Sequence, residues 1–200
     1  MIGNGDKHLA PNVYFDRQFN CSAAKILPGE YYVTARKMVL VTVLGSCIAA
    51  CLRDPILRIG GMNHFMLPDQ GGNSNSILSL SARYGSYAME LLINHLLKMG
   101  AQRLRLEAKV FGAGQVLAGV TDVGIRNTIF VRDYLEREKI KLVAEDLGGY
   151  FPRKIYFFPE TGRVLVRELR HQHNDTILQR EQSYSQIIKT VPVGGDPELF

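Results

Sequence analysis

Cys47 stands directly after Gly45 and Ser46, in the string Leu44-Gly-Ser-Cys47, and a histidine follows in Gly61-Met-Asn-His64-Phe-Met-Leu-Pro68. A free cysteine is mostly protonated near neutrality, and its thiolate is the nucleophilic form. An imidazole within reach can take the proton and hold the thiolate as an ion pair. A Gly-Ser step lets the backbone turn just before the nucleophile, so that its amides can aim at a developing oxyanion. These residue types in this order suit acyl transfer through a thioester, with Cys47 as nucleophile and His64 as base. The bland alternative is that Cys47 is a small hydrophobe in a strand, the commonest role of a buried cysteine. Cys51 has only that role, since no base is expected opposite it. Cys47 and Cys51 lack a second Cys/His pair at zinc-ligand spacing. His171 and His173, alternating with Gln172, read as surface residues of a polar segment. No metal or cofactor is expected.

The elements that would position this pair follow from pattern. Met38 to Leu44 is a near-continuous apolar run suited to a buried strand, and Glu30 to Thr34 is β-branched and aromatic. Ile48 to Arg53 reads as a strand, Asp54-Pro55 as a turn, and Leu57 to Leu67 as the return strand. A turn centred between Pro55 and Ile56 sets Cys47 directly opposite His64, at the cross-strand distance a thiol–imidazole pair needs.

Beyond the loop Pro68 to Asn73, residues 81 to 99 form the clearest helix, with Tyr84, Ala88, Leu91, Leu92 and His95 on one face and Gly100 as its C-terminal cap. His95 reads as a packing residue. Residues 103 to 110 alternate like a half-buried strand. Thr121-Asp122 can cap a second helix carrying Ile125, Ile129 and Leu135. Strands are expected over 141–145, 154–158 and 163–169, the last two joined by the hairpin signal Pro159-Glu160-Thr161-Gly162. A short helix over Ile177 to Ile188 follows. This order predicts an α+β layered domain with largely antiparallel or mixed sheet. Phe111-Gly-Ala-Gly114 lacks the third glycine and the βαβ context of a dinucleotide site, and reads as a turn.

The chain has 200 residues, enough for one domain with appended arms. The division expected is an N-terminal arm over 1–23, a catalytic domain over 24–170 and a polar tail over 171–200, the tail serving docking or localisation outside the active site. The net charge of +5 comes from scattered basic residues, which argues against a nucleic-acid stripe. No apolar run approaches the roughly 20 residues that span a bilayer, and the N-terminus lacks a signal pattern. Three cysteines without a signal point to reduced thiols and a cytoplasmic setting.

Several strings together resemble the chemoreceptor glutamine deamidase family, CheD. They are Leu44-Gly-Ser-Cys47 continuing to Pro55, Gly61 to Pro68, Phe111 to Gly114, Gly119-Val-Thr-Asp-Val-Gly-Ile-Arg-Asn127, Leu142 to Gly149 and Thr161-Gly-Arg-Val-Leu-Val166. The resemblance covers about residues 25 to 170. It implies an α/β sandwich similar to the catalytic domain of deamidating bacterial toxins, and a Cys–His–Thr triad. On that match Cys47 is the nucleophile, His64 the base and Thr42 the residue that orients the imidazole. Taken locally, Thr42 is equally a strand threonine bonded to backbone.

The resemblance further implies methyl-accepting chemotaxis receptors as protein substrates, methyl-ester hydrolysis in some members, and a CheC-type phosphatase as a partner that competes for the same face. Ser46 and Asn63 are expected to contact substrate, and Gln70 to Asn75 to shape its groove. Gly112, Gly114 and Asp122 are expected nearby without a chemical role. Two other functions share these residues: a docking module that regulates receptors or a phosphatase without turnover, and a transglutaminase-like acyl transfer to an amine. A thiol protease fits less well, because nothing suggests recognition of a scissile backbone amide.

Overall fold

The computed structural model of the chain describes residues 8–68, 74–116, 123–170 and 175–190. Among them, ten strands form two five-stranded sheets. The first sheet runs in the order β3 (Tyr31–Thr34), β6 (Ile59–Asn63), β5 (Ile48–Asp54), β7 (Glu107–Gly112), β8 (Lys141–Leu147). The second runs β1 (Asn12–Asp16), β2 (Cys21–Lys25), β4 (Met38–Leu44), β9 (Arg153–Phe158), β10 (Arg163–Glu168). Most neighbours are antiparallel. The exceptions are β2 with β4 and β7 with β8. The α+β layering expected from the sequence is what the chain adopts.

Period-two alternation assigns each face. In β5, Ile48, Ala50 and Leu52 point into a core that includes Leu92, Ile93 and Leu96 of helix α1 (Ser74–Lys98) and Val131 and Leu135 of helix α2 (Val123–Arg137). Ala49 and Cys51, with Cys47 just before the strand, point the other way, against Leu40 and Leu44 of β4 and Ile155 and Phe157 of β9. The molecule is thus a sandwich of two sheets with α1 and α2 covering the outer face of the first. Val39, Val41 and Tyr156 form a smaller cluster on the outer face of the second sheet.

Gly100 closes α1 as expected. It sits at φ +98, its N–H bonds to Leu97, and that of Ala101 bonds to Leu96, a left-handed cap that satisfies the last carbonyls. Asp54 closes the β5–β6 turn by accepting N–H bonds from Ile56 and Leu57. It also ties the turn to the segment after α1 through Gln102 N–H and a two-pronged contact with Arg105.

Several local expectations yield to tertiary packing. Residues 12–16 and 21–25, within or bordering the stretch expected as an arm, pair with each other and extend the second sheet through β4. Helix α1 begins at Ser74, seven residues earlier than its pattern suggests. Its most buried residues are Met89, Leu92, Ile93 and Leu96, while His95 packs edge-on to Tyr31. Residues 103–105 form a 3-10 turn with Leu104 92% exposed, so the strand starts only at Glu107. In α2, Ile125 and Ile129 face solvent and Val123, Asn127, Val131, Tyr134 and Leu135 face in. Asp122, residues 70–73 of the expected groove, His171, His173 and the last ten residues lie outside the described residues.

Candidate active site

The β5–β6 hairpin pairs Cys51 with Met62 and Leu52 with Gly61, and the backbones of Ile48 and Phe65 bond reciprocally beyond it. This register differs by two residues from the one expected. The connection turns one residue later, where Asp54 caps it, and Cys47 and His64 become diagonal neighbours. A shift of two preserves the face, since side chains alternate with period two. Both side chains therefore still enter the space between the sheets, at its end, and diagonal residues remain within reach of a long side chain.

His64 is held on both sides. Its backbone N–H donates to Glu30 O at 2.9 Å and its carbonyl accepts from Gly29 N at 2.7 Å. On the ring, Nδ1 lies 2.8 Å from Thr42 Oγ1, and the Thr42 hydroxyl lies 2.7 Å from Ile26 O. The carbonyl can only accept, so the single hydroxyl proton goes to Ile26. Thr42 Oγ1 must then accept from His64, which places the ring proton on Nδ1. Nε2 is left with its lone pair and has no hydrogen-bond partner among the described residues. A ring nitrogen of His64 lies within 4.8 Å of Cys47 Sγ, and with Nδ1 engaged by Thr42, Nε2 is the nitrogen free to receive the thiol proton. Thr42 reaches this position because it shares a face of β4 with Leu40 and Leu44, the face turned toward the first sheet.

The backbone before Cys47 is shaped by its carbonyls. Gly45 O accepts from Gly114 N at 2.7 Å, Cys47 O from Ala113 N at 2.8 Å, and Ser46 O from Asn127 Nδ2 at 2.9 Å. With three successive carbonyls drawn outward, the amides of residues 45 to 47 converge on the opposite side. Gly112 is required for this cradle: at φ +115 a Cβ would lie far inside contact with Cys47 O. The Phe111-Gly-Ala-Gly114 turn is thus a template for the loop that carries Cys47. Asn127 fastens the same loop to Leu67, whose N–H it accepts at 2.9 Å.

The converging amides hold a carboxylate from helix α3 (Asp175–Thr190). Glu181 Oε1 accepts from Gly45 N at 2.8 Å and Cys47 N at 3.2 Å; Oε2 accepts from Ser46 N at 2.9 Å and Ser46 Oγ at 2.7 Å. Cys47 and His64 are 0% and 2% exposed beneath it. Burial first, then the Glu181 carboxylate, push the Cys47 thiol well above its ordinary range. Burial also pulls His64 down to about 4, with Glu181 acting in the opposite sense. The resting pair is a neutral thiol and a neutral imidazole, in place of the ion pair expected from adjacency alone. Cys47 Sγ, His64 and Glu181 lie within 4.8 Å of one another, close enough to share a metal ion. Four hydrogen donors already converge on the carboxylate, however, an environment built for an anion and adverse to a cation.

The structure brings Cys47, His64, Thr42 and Ser46 together. It does not bring Asn63, whose side chain is on the opposite face, accepting from Ala50 N and donating to Ala88 O of α1. Cys51 is buried between the sheets, and burial raises its thiol far above the ordinary value. Two residues of the site went unmarked by spacing. Asn127 lies in a recognisable string but on the side of the helix opposite the apolar positions 125 and 129. Glu181 acts across more than 130 positions of chain, which no local pattern signals.

A family model described as "CheD chemotactic sensory transduction" matches residues 66–168. A protein of Thiobacillus denitrificans is 59% identical over 98% of both chains. The chain belongs to the CheD family. The Thiobacillus relative is named a probable chemoreceptor glutamine deamidase CheD, as are CheD relatives of Methylobacillus flagellatus, 57% identical over 98% of both chains, and Janthinobacterium sp., 58% identical over 97% of both. A solved structure of the Bacillus licheniformis hypothetical protein YfiH aligns over 58% of this chain and 49% of its own, at 10% identity and a TM-score of 0.36, too low to equate the folds. Among the described residues, no helix is long and apolar enough to cross a membrane.

Proposed function

We propose that this CheD protein deamidates glutamine side chains of methyl-accepting chemotaxis receptors, with Cys47 as nucleophile, His64 as general base and acid, and Thr42 as the residue that orients the imidazole. The observation that carries this reading is the hydrogen-bonded line from Ile26 O through Thr42 to His64, which leaves Nε2 unpartnered on a ring that comes within 4.8 Å of Cys47 Sγ. The names of its close relatives supply the substrate class.

Nε2 takes the thiol proton as Sγ attacks the carboxamide carbon. The oxygen that gains charge is received by the amides of residues 45 to 47, with Ser46 Oγ as a further donor. The imidazolium returns its proton to the departing nitrogen, and ammonia leaves a thioester. Water, deprotonated by His64, opens the thioester to glutamate and restores the thiol. A neutral resting pair suits this sequence, because the thiol proton moves in the step that forms the bond.

Incubating the protein with receptor cytoplasmic fragments and mapping glutamine-to-glutamate changes by mass spectrometry tests the proposal. Conversion should occur with wild type and be absent with Cys47→Ala; conversion by folded Cys47→Ala would remove the nucleophile assignment. The same reading makes a CheC-type phosphatase a competitor for the face that carries Cys47, so adding one should slow conversion.

A further inference from the structure

Helix α3 meets the body along one face. Glu181, Tyr184 and Ile188 are buried, at spacings that share a helix side, while Thr176, Gln179, Gln182, Ser183 and Gln186 are exposed. Tyr184 hydroxyl meets Tyr84 hydroxyl, and Gly29 lies against the Tyr184 ring with no room for a side chain. Beside Glu181 the groove continues as a cavity of about 330 Å³, bounded by Thr42 and His64 within, by Leu27 and Pro28, and by Lys25 and Lys154. The arrangement is that of an amphipathic helix seated in a groove, with one acidic side chain reaching to the floor.

That side chain is chemically the product of the proposed reaction. A glutamate just formed from glutamine would present one oxygen to the oxyanion donors and carry its new oxygen where ammonia left. Glu181 approaches this form: Oε1 rests on the Gly45 and Cys47 N–H groups, Oε2 on the Ser46 N–H and hydroxyl, and a carboxylate oxygen stands within 4.8 Å of Sγ and of an imidazole nitrogen. A glutamine amide could satisfy the oxyanion donors but would turn an NH₂ group toward Ser46 N–H, so this cradle favours the carboxylate over the amide. With α3 in place the nucleophile is sealed from solvent.

We propose that α3 is a tethered product mimic: it occupies the groove that receives the substrate's glutamine-bearing helix, and Glu181 takes the place of the product glutamate, so that α3 must leave before a receptor can enter. This rests on the deamidase reading above. The segment expected to lie outside the active site thereby becomes its internal inhibitor. A corollary is specific to the chemistry. A glutamine introduced at position 181 would itself be a substrate, its carboxamide and one water giving glutamate and ammonia by way of the Cys47 thioester.

The test uses the full chain in four forms: wild type, Glu181→Gln, Glu181→Ala, and Glu181→Gln combined with Cys47→Ala. Peptide mass spectrometry reads position 181, and receptor-fragment deamidation is timed in parallel. The introduced glutamine should convert to glutamate in the single variant and persist in the double one. Glu181→Ala should accelerate receptor deamidation by roughly tenfold or more, the shift expected from losing at least one charge-assisted hydrogen bond that holds α3 down. If the introduced glutamine persists and Glu181→Ala is no faster than wild type, while wild type still deamidates receptors, α3 is not a product mimic and the deamidase reading stands. A folded Glu181→Ala slower than wild type would make Glu181 a brace for the 45–47 loop and equally overturn the proposal. If no form deamidates either the receptor or the introduced glutamine, the deamidase reading falls and this inference with it.

Discussion

Replacing Thr42 with valine keeps the shape of the side chain and removes one hydroxyl, so its effect isolates the hydrogen bonds. In the resting protein two buried contacts disappear, Thr42 Oγ1 with His64 Nδ1 at 2.8 Å and with Ile26 O at 2.7 Å. The ring N–H and the carbonyl are left buried, at a cost of about 1–3 kcal/mol of stability each before relaxation. The larger consequence is kinetic. When Nε2 takes the Cys47 proton the ring becomes a cation, and the Nδ1–H to Thr42 bond turns into a charge-assisted one, for which about 1.5–3 kcal/mol is typical. Losing that in the transition state lowers kcat by roughly 10- to 150-fold, at 1.36 kcal/mol per tenfold. Removing the hydroxyl also frees the imidazole to carry its proton on Nε2, which disables the base. Thr42→Ser retains the oxygen and should recover most of the rate. The assay is receptor-fragment deamidation under saturating substrate, beside a urea melt of each variant. A folded Thr42→Val protein with wild-type kcat would refute the assignment of Thr42 to the imidazole and leave it as a strand threonine bonded to backbone.

Cys47→Ser should abolish deamidation, whereas Cys51→Ser, buried between the sheets away from the base, should retain most of it; equal losses in folded proteins would remove the distinction. Gly112→Ala must push the Cys47 carbonyl away and adopt a conformation unfavourable to a side chain, so it should cost about 1–3 kcal/mol in a denaturant melt and most of the activity. Cys47 should alkylate at neutral pH far more slowly than the same thiol in the unfolded chain, its rate still climbing above pH 9, because burial and Glu181 hold its ionisation high. A plateau at neutral pH would mean that the thiolate is already formed. Acid stability should fall in two windows. Burial pulls His64 from 6.5 to about 4, so the unfolded chain takes the proton first, and stability declines as pH drops from about 6.5 toward 4. Against the opposing effect of burial, Arg105 and three backbone N–H groups lower Asp54 from 3.8 to about 2, so the stability from its contacts is complete above 3.8 and lost as pH falls through 2. Urea midpoints against pH check both windows: His64→Gln should flatten the upper one and Asp54→Asn the lower.

Much of this molecule was determined locally. The apolar run Met38–Leu44 has one stable use, a strand buried on both faces, and Gly100 stops α1 because a left-handed residue satisfies the last carbonyls. The residue order around Cys47 and His64, together with the motif likeness, singled out Cys47, His64 and Thr42, which the fold brings together. Parity protected the pairing: the hairpin slipped by two residues, yet both side chains kept their face.

What the sequence left open depended on partners far along the chain. The edge strand β1 and its neighbour β2 exist because β4 offers an unpaired edge, and not because residues 12–16 and 21–25 demand it. Ile125 and Ile129 face water because α2 turns Asn127 inward to hold Ser46 O and Leu67 N–H, a polar anchor that outweighs apolar periodicity. Three consecutive amides become an anion cradle only because Ala113, Gly114 and Asn127 draw the intervening carbonyls away. Glu181 fills that cradle from the buried face of an amphipathic helix. Hydrogen bonds between groups so distant in sequence leave no trace in spacing, since they follow from where the finished sheets bring their ends together.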